Sequence, residues 1–277
     1  MRHLVTRALL WYARRVPYHR GKTRLSSYLR TAFGVQLDGE SVELRDGLLW
    51  SLDRGDYMSQ DLYWSGANDR AELRHALKAM PPGGVMLDVG ANFGFYSISI
   101  AARLRQACVV HAFEPNPATF DRLERNISLN GSTAVTAHQM GVSDRMGHAG
   151  IVEVPGHSGA AYLSAGSDVA VTSLDRFCES AGIERVDLIK IDAEGAEPRI
   201  LRGAAGVLER FRPTLLLELN QPTLERENSS PAEVLAYLRA IGYWSYALPA
   251  NREIQPNGPL PGPNFNAVSV PVNRHLA

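Results

Sequence analysis

A glycine-containing turn after an apolar run is the first stretch whose residue types and spacing could do chemistry. Residues 85–89 are apolar except for Asp88, and Gly90, Asn92 and Gly94 follow. Glycine lets the backbone approach a ligand closely, and the helix after such a turn points free N–H groups at it. Asparagine tolerates a left-handed backbone better than most non-glycine residues. The stretch predicts a strand, a turn and a helix that bind a nucleoside, without the Gly-x-Gly-x-x-Gly spacing of dinucleotide-binding proteins.

A second acidic residue follows the next predicted strand, over residues 109–113. Glu114 stands twenty residues after Gly94. A carboxylate at the end of a neighbouring parallel strand can accept hydrogen bonds from both hydroxyls of an adenosine ribose. Asn116 is predicted to cap a helix that has Pro117 at its first position.

Two carboxylates follow a further predicted strand, over residues 186–192. Asp192 ends this strand, and Glu194 lies in the loop before the next helix. Ligands of open parallel sheets bind outside the carboxyl ends of the strands, so both carboxylates are expected near the ligand. Such groups can accept a proton or orient an acceptor. The structural alternative is that they only cap the following helix.

Three stretches of the chain, in order, resemble motifs of the FkbM-type family of S-adenosylmethionine (SAM)-dependent methyltransferases. They are Asp88–Gly94, Phe113–Pro117 and Lys190–Glu197, and the resemblance extends over roughly residues 40–220. The resemblance implies SAM as cofactor and methyl transfer to a hydroxyl of a sugar, glycolipid or secondary metabolite. The expected partner is therefore a small-molecule or glycan acceptor.

The resemblance also implies roles for individual residues. Ser143 and Asp144 follow a predicted strand at 134–140, where the loop of a SAM domain passes the adenine edge; for Asp144 an ordinary turn is the alternative. The predicted catalytic residues are Asp192 and Glu194, one as general base or acceptor-orienting group and the other holding the cofactor's amino group or the loop. The predicted cofactor-binding residues are Asp88, Gly90, Asn92, Gly94, Glu114, Asn116, Ser143, Asp144 and Asp192.

A divalent metal is an alternative occupant of the same region. Asp192, Glu194 and Glu218 could together present oxygen ligands to magnesium. The motif of the magnesium-dependent O-methyltransferases does not occur in this sequence, so the prediction is a site without metal.

The elements that must position these residues alternate between strand and helix patterns. They predict an α/β fold of the Rossmann-like class I methyltransferase type. Its sheet is expected to have seven mostly parallel strands with the last one reversed, helices on both faces and a small N-terminal cap. We place the cap, a basic helical arm and a β-hairpin around Asp46-Gly47, in residues 1–68 and the SAM-binding domain in residues 69–277. Residues 145–168, rich in Gly, Ser and Ala, are predicted as a hairpin or a mobile loop.

Charge and composition exclude several classes of protein. With 29 basic and 29 acidic residues, the chain has no overall field that would favour nucleic acid. The two cysteines are far apart and are expected as free thiols in a reducing compartment. No run reaches the roughly 18 apolar residues of a membrane span, and no secretory signal is recognisable. The prediction is a cytoplasmic protein.

The neutral total conceals a basic N-terminal arm. Residues 1–37 contain eight basic and no acidic residues, and apolar residues recur at helical spacing over residues 3–16. One interpretation is a helix packed on its own acidic domain or on a second copy in a homo-oligomer. The other is an arm that grips an anionic acceptor or rests on an anionic membrane surface.

Two other functions compete with methyl transfer. A nicotinamide-dependent dehydrogenase can use a similar sheet, and Glu114 would suit its ribose, but the glycine spacing is wrong. A non-catalytic nucleoside-binding partner protein would keep the pocket without the chemistry.

Overall fold

A large, mostly parallel β-sheet forms the centre of the molecule. The computed structural model describes residues 41–273, except 45–46, 54, 66–69 and 256–257, together with six isolated positions nearer the N-terminus. The strands are β1 (Ser41–Glu43), β2 (Leu49–Ser51), β3 (Gly84–Val89), β4 (Cys108–Phe113), β5 (Val135–His138), β6 (Gly141–Val142), β7 (Gly147–Val152), β8 (Tyr162–Thr172), β9 (Leu188–Ile191), β10 (Thr214–Asn220), β11 (Tyr243–Ala247), β12 (Arg252–Glu253) and β13 (Asn264–Pro271). The helices are α1 (Tyr57–Ser65), α2 (Arg70–Ala79), α3 (Phe95–Arg103), α4 (Pro117–Leu129), α5 (Leu174–Ser180), α6 (Glu197–Arg202), α7 (Ala205–Phe211), α8 (Gln221–Arg226) and α9 (Pro231–Ala240), with a short 3-10 helix at Ser158–Ala160.

The strand order of the large sheet is β12-β11-β13-β10-β9-β3-β4-β5. The five strands from β10 to β5 pair in parallel, and β13 is antiparallel to both β10 and β11. The predicted Rossmann-like architecture and the reversed last strand are thereby confirmed. The predicted count of seven strands is one short, because the sheet has eight. The extra strand, β12, is a two-residue edge strand, too short to leave a periodic signal in the sequence.

Both faces of the sheet are covered, as the nearly continuous apolar runs of its parallel strands require. Side chains alternate between the faces, so Leu87 and Ile189 enter one core while Met86 and Leu188 enter the other. Asp88 and Lys190 are register partners on β3 and β9. By the same alternation they share the face of Met86 and Leu188 at the carboxyl ends of their strands.

The cap hairpin forms where the sequence predicts it, with Val42 opposite Trp50. Trp50 is fully buried, and its ring meets the edge of Phe93 at a centroid distance of 5.9 Å. Asn126 on α4 accepts a hydrogen bond from the Ser51 N–H at 2.7 Å. The hairpin therefore shares a core with α3 and α4, across the domain boundary predicted at residue 68.

Two further predictions concern less regular segments. Residues 147–172 form the hairpin β7-β8, which pairs with β6 in a separate three-stranded sheet. The helix predicted over residues 3–16 falls outside the described residues, apart from three isolated helical positions. Among the described residues, no helix is both long and apolar enough to cross a membrane.

Candidate active site

A cavity of about 1000 Å³ lies at the carboxyl ends of β3, β4, β9 and β10. Its remaining walls come from α1, α2, the start of β13 and the β7-β8 hairpin. Its polar lining combines carboxylates, amides and a few cations: Asp61, Glu72, Arg74, Asn92, Glu114, Asn116, His157, Lys190, Asp192, Glu194, Glu218, Asn264 and Asn266. The edge of the sheet to which ligands of this topology bind is therefore an open crevice.

The turn after β3 forms part of the cavity wall. Gly90 has a φ of 75°, and a Cβ atom there would overlap the carbonyl oxygen of Asp192. The glycine is required because the loop after β9 crosses directly against this turn. Asn92 has a φ of 52°, in the left-handed region, as its residue type predicts.

Two members of the same motif lie behind the wall and do not line the cavity. Asp88 is fully buried, accepts a hydrogen bond from Ser97 Oγ at 2.6 Å and lies 3.7 Å from Lys190 Nζ. Gly94, with a φ of 93°, lies where a Cβ atom would come within 2.6 Å of Leu123. Asp88 therefore orients α3 and Lys190, and Gly94 lets α3 approach α4. The direct cofactor contacts predicted for the two residues stay predictions.

Glu114 is held in place by backbone groups. Its two carboxylate oxygens accept hydrogen bonds from the N–H groups of Asn92 and Asn116, both at 2.9 Å. Burial raises the pKa of Glu114 to about 7. Each oxygen keeps a second lone pair, and the side chain lines the cavity, so it can accept from ribose hydroxyls. Asn116 caps α4 with its side-chain oxygen, as predicted, and its amide donates to Glu153 at 2.6 Å.

Ser143 and Asp144, predicted at the adenine edge, are also outside the cavity lining. Residues 140–142, immediately before them, do line it. Ser143 Oγ donates to Asp144 Oδ1 at 3.2 Å, and Asp144 lies 3.6 Å from Arg202 on α6. The part of this loop that lines the cavity therefore ends at Val142.

The predicted catalytic pair follows β9, which lies two strands from β4 in the sheet, and Glu218 on β10 adjoins it. Burial raises the pKa of Glu194 to about 7, and the carboxylates of Asp192 and Glu197 add to this effect. The charge of Asp192 is the main reason that the pKa of Glu218 is raised to about 9, and enclosure in the crevice contributes. Near neutral pH, Glu218 holds a proton beside Asp192. Asp192, Glu194 and Glu218 together can accept a hydrogen bond from a hydroxyl and take up its proton.

Lys190 is the cation that balances these acids, and sequence reasoning did not assign it a role. Its Nζ lies 3.2 Å from Asp192 Oδ2 and 5.0 Å from the centre of the Tyr96 ring. Burial alone would lower its pKa, but the carboxylates of Asp192 and Asp88 raise it above the usual range. A lysine inside the apolar run Leu188–Ile191 was the available signal, because a buried charge requires a partner.

The connection between β7 and β8, residues 153–161, covers the cavity. Ser158 Oγ donates to Asn92 Oδ1 at 3.3 Å. The His157 ring stacks on Tyr57 of α1 at a centroid distance of 5.2 Å. No local pattern in this Gly- and Ser-rich segment indicates these contacts, since they join parts of the chain that are far apart in sequence.

The metal alternative would need three acids to converge on one ion. Within the described part of the chain, no group of three or more His, Cys, Asp or Glu side chains has that arrangement. Lys190 already supplies a positive charge next to Asp192.

Comparison with known families decides what kind of protein presents this cavity. Residues 88–244 match the model of the methyltransferase FkbM domain. The chain belongs to the FkbM methyltransferase family. This confirms the predicted family and SAM as cofactor, and it decides against the dehydrogenase alternative. The crevice fits such a cofactor, since Glu114 offers acceptor lone pairs and the backbone turns closely at Gly90.

Three relatives show the extent of the similarity. Methyltransferase 1 of Beauveria bassiana is 29% identical over 148 residues, which cover 44% of this chain and 59% of that protein. The 31-O-demethyl-FK506 methyltransferase FkbM of Streptomyces tacrolimicus is 29% identical over 222 residues, covering 67% and 82%. The hexuronic acid methyltransferase AglP of Haloferax volcanii is 28% identical over 140 residues, covering 50% and 56%. The matched part of the chain spans about three fifths of the length of the first relative.

Proposed function

We propose that the protein transfers a methyl group from SAM to a hydroxyl of a sugar, glycolipid or secondary metabolite. The observation that carries the proposal is that Glu114 and the acids at the tips of β9 and β10 line one cavity. The name of one relative, a 31-O-demethyl-FK506 methyltransferase, supports a hydroxyl acceptor. Another relative is named a hexuronic acid methyltransferase, which supports a sugar acceptor but one with a negative charge.

In the proposed reaction, different residues of the cavity bind the cofactor and orient the acceptor. Bound SAM supplies a methyl group already activated on a sulfonium. Glu114 binds the ribose, and the turn at Gly90–Asn92 lies against the remainder of the nucleoside. Asp192 and Glu194 orient the acceptor oxygen and receive its proton, with Glu218 and Lys190 setting the charge around them. The excess of carboxylates also suits a cationic cofactor.

The lining near β13 favours an acceptor ring without a negative charge. Asn266 is the register partner of Glu218, and its amide donates to Glu72 at 3.1 Å. Carboxylates and amides of this kind can bind several hydroxyls at once. The lining holds six acidic residues against two basic ones, Arg74 and Lys190, and Lys190 is already engaged by Asp192 and Asp88, so a carboxylated ring would be repelled. A neutral hydroxylated ring avoids that repulsion.

Methyl transfer from radiolabelled SAM to matched acceptors tests this proposal. The acceptors are pairs of glycosides that differ only in a neutral hexose or the corresponding uronic acid. We expect SAM binding by calorimetry, transfer that favours the neutral member, and a loss of kcat of at least ~100-fold in Asp192→Asn. Glu209→Gln, the same kind of change on the exposed face of α7, is the control and should retain full activity.

Each other outcome contradicts a defined part of the proposal. SAM binding without transfer to any acceptor would favour the non-catalytic alternative. Absence of SAM binding would overturn the assignment of the cavity, and faster transfer to the uronic acids would overturn the acceptor class.

A further inference from the structure

We propose that Arg226 is a positioning residue that fixes the Glu194 loop and fastens the β7-β8 hairpin over the cavity. The inference rests on the proposed function, because it assigns Arg226 to the support of that site. Arg226 is the last residue of α8, is exposed, and does not line the cavity. Its contacts nevertheless connect three separate elements around the predicted catalytic acids.

The first contact is with the backbone of the predicted catalytic loop. Arg226 Nη2 donates to the carbonyl oxygen of Glu194 at 2.8 Å. Glu194 has a φ of 51°, a left-handed backbone conformation that residues other than glycine and asparagine adopt rarely. Such a residue keeps its conformation only when its surroundings hold it. The hydrogen bond from Arg226 fixes the peptide group that follows this residue.

The second contact is with the hairpin. The Arg226 guanidinium lies 3.9 Å from the centre of the Tyr162 ring, at the start of β8. Tyr162 lines the cavity. A planar guanidinium can stack on a ring while donating a hydrogen bond in its own plane, which a lysine ammonium cannot do. Arg226 therefore holds the hairpin and the Glu194 loop at the same time.

The position of Arg226 is set by close backbone packing. Gly195, with a φ of 107°, lies where a Cβ atom would overlap the carbonyl of Thr223 on α8. This places the first turn of α8 directly against the loop, and Arg226 follows three residues later. The positive charge of Arg226 also opposes the effects that raise the pKa of Glu194.

Substitution of Arg226 tests the proposal in the full chain. The segment between β7 and β8 contacts Asn92 of the turn assigned to the cofactor, so in Arg226→Ala we expect SAM affinity to fall about tenfold and amide exchange to accelerate in residues 162–165 and 193–196. Arg226→Lys should retain little of the function, whereas added guanidinium ion should restore much of the affinity of Arg226→Ala. Arg210 provides the matched control, since it lies 4.8 Å over the Phe211 ring on the exposed side of α7. Arg210→Ala should change none of these quantities.

The outcomes separate this inference from the proposed function. If wild-type protein does not bind SAM, the proposed function fails, and exchange in the ligand-free protein still decides whether Arg226 holds the two segments. If Arg226→Ala matches Arg210→Ala in affinity and exchange, the positioning role is overturned. A loss of affinity that guanidinium ion does not restore would also overturn it.

Discussion

Glu114, which follows β4, is fixed by two backbone N–H groups, whereas Asp192, Glu194 and Glu218 face one another across the tips of β9 and β10. Backbone hydrogen bonds give Glu114 a single orientation, which suits the binding of a ligand of constant shape. Burial and mutual repulsion raise the pKa values of Glu194 and Glu218, which suits the proposed role of these acids in accepting a proton. One sheet edge thus combines a fixed carboxylate with a group of acids whose protonation can change.

Removal of Lys190 should have the largest effect on the free energy of unfolding, because Lys190 balances the charge of the acids. Lys190→Met leaves Asp88, which is fully buried, without its countercharge. Breaking a buried ion pair in this way costs about 3–5 kcal/mol, so we expect the free energy of unfolding in urea to fall by that amount. The double variant Asp88→Asn/Lys190→Met should recover part of the loss, because the fully buried charge of Asp88 is then gone and only the more exposed Asp192 lacks its partner. Wild-type stability in the single variant would show that Lys190 does not balance these acids.

Substitution at Gly90 tests the turn that lies against the β9 loop and should have the next largest effect. Gly90→Ala adds a Cβ atom that overlaps the Asp192 carbonyl at a φ of 75°, and we expect a loss of about 3 kcal/mol from overlap and backbone strain together. Gly83→Ala is the control, since Gly83 has a φ of 72° but no atom within 4 Å of the added Cβ. It should lose only about 1 kcal/mol, from the backbone conformation alone. Equal losses in the two variants would mean that the turn does not depend on contact with the β9 loop.

The pH dependence of stability compares Glu218 with Glu114 and Glu194, and we expect it to show the smallest effect of the three tests. Glu114 and Glu194 have pKa values raised to about 7, and Glu218 to about 9, all above the values of an unfolded chain. A raised pKa favours the folded state at low pH, and that contribution is lost as pH rises through the folded pKa. We expect stability to decline from about pH 5 upwards and Glu218→Gln to flatten the part between pH 7 and 9. Denaturant titrations at pH 6, 7.5 and 9 would measure this, and an unchanged slope in the variant would contradict the assignment.

The sequence predicts the sheet and the edge that carries the cavity well, because strands with apolar runs end in recognisable motifs. Asp192, Glu194 and Glu114 lie in the cavity as expected, since strand ends alone determine that they meet. Asp88 does not line the cavity, because a sequence motif predicts where a residue lies along the chain but not where its side chain points.

Residues whose contacts lie on distant elements are much harder to predict from the sequence. Arg226 and Tyr162 are 64 positions apart and meet only through packing, so neither belongs to a local pattern. The hairpin that carries Tyr162 is rich in small residues, and its docking depends on single hydrogen bonds to distant partners. Glu218 was identifiable as an acid within an apolar strand, but its proton depends on Asp192 from another strand.

The antiparallel direction of β13 has a consequence for how this enzyme family can diversify. The parallel strands arrive at the cavity with their final residues, whereas β13 begins there, with Asn264 and Asn266 in its first three positions. Pro249, in the connection between β11 and β12, lines the cavity as well. Insertions at Pro249 would remodel the entrance while the pairing of β13 with its neighbours, and so the geometry at Asp192, stays the same.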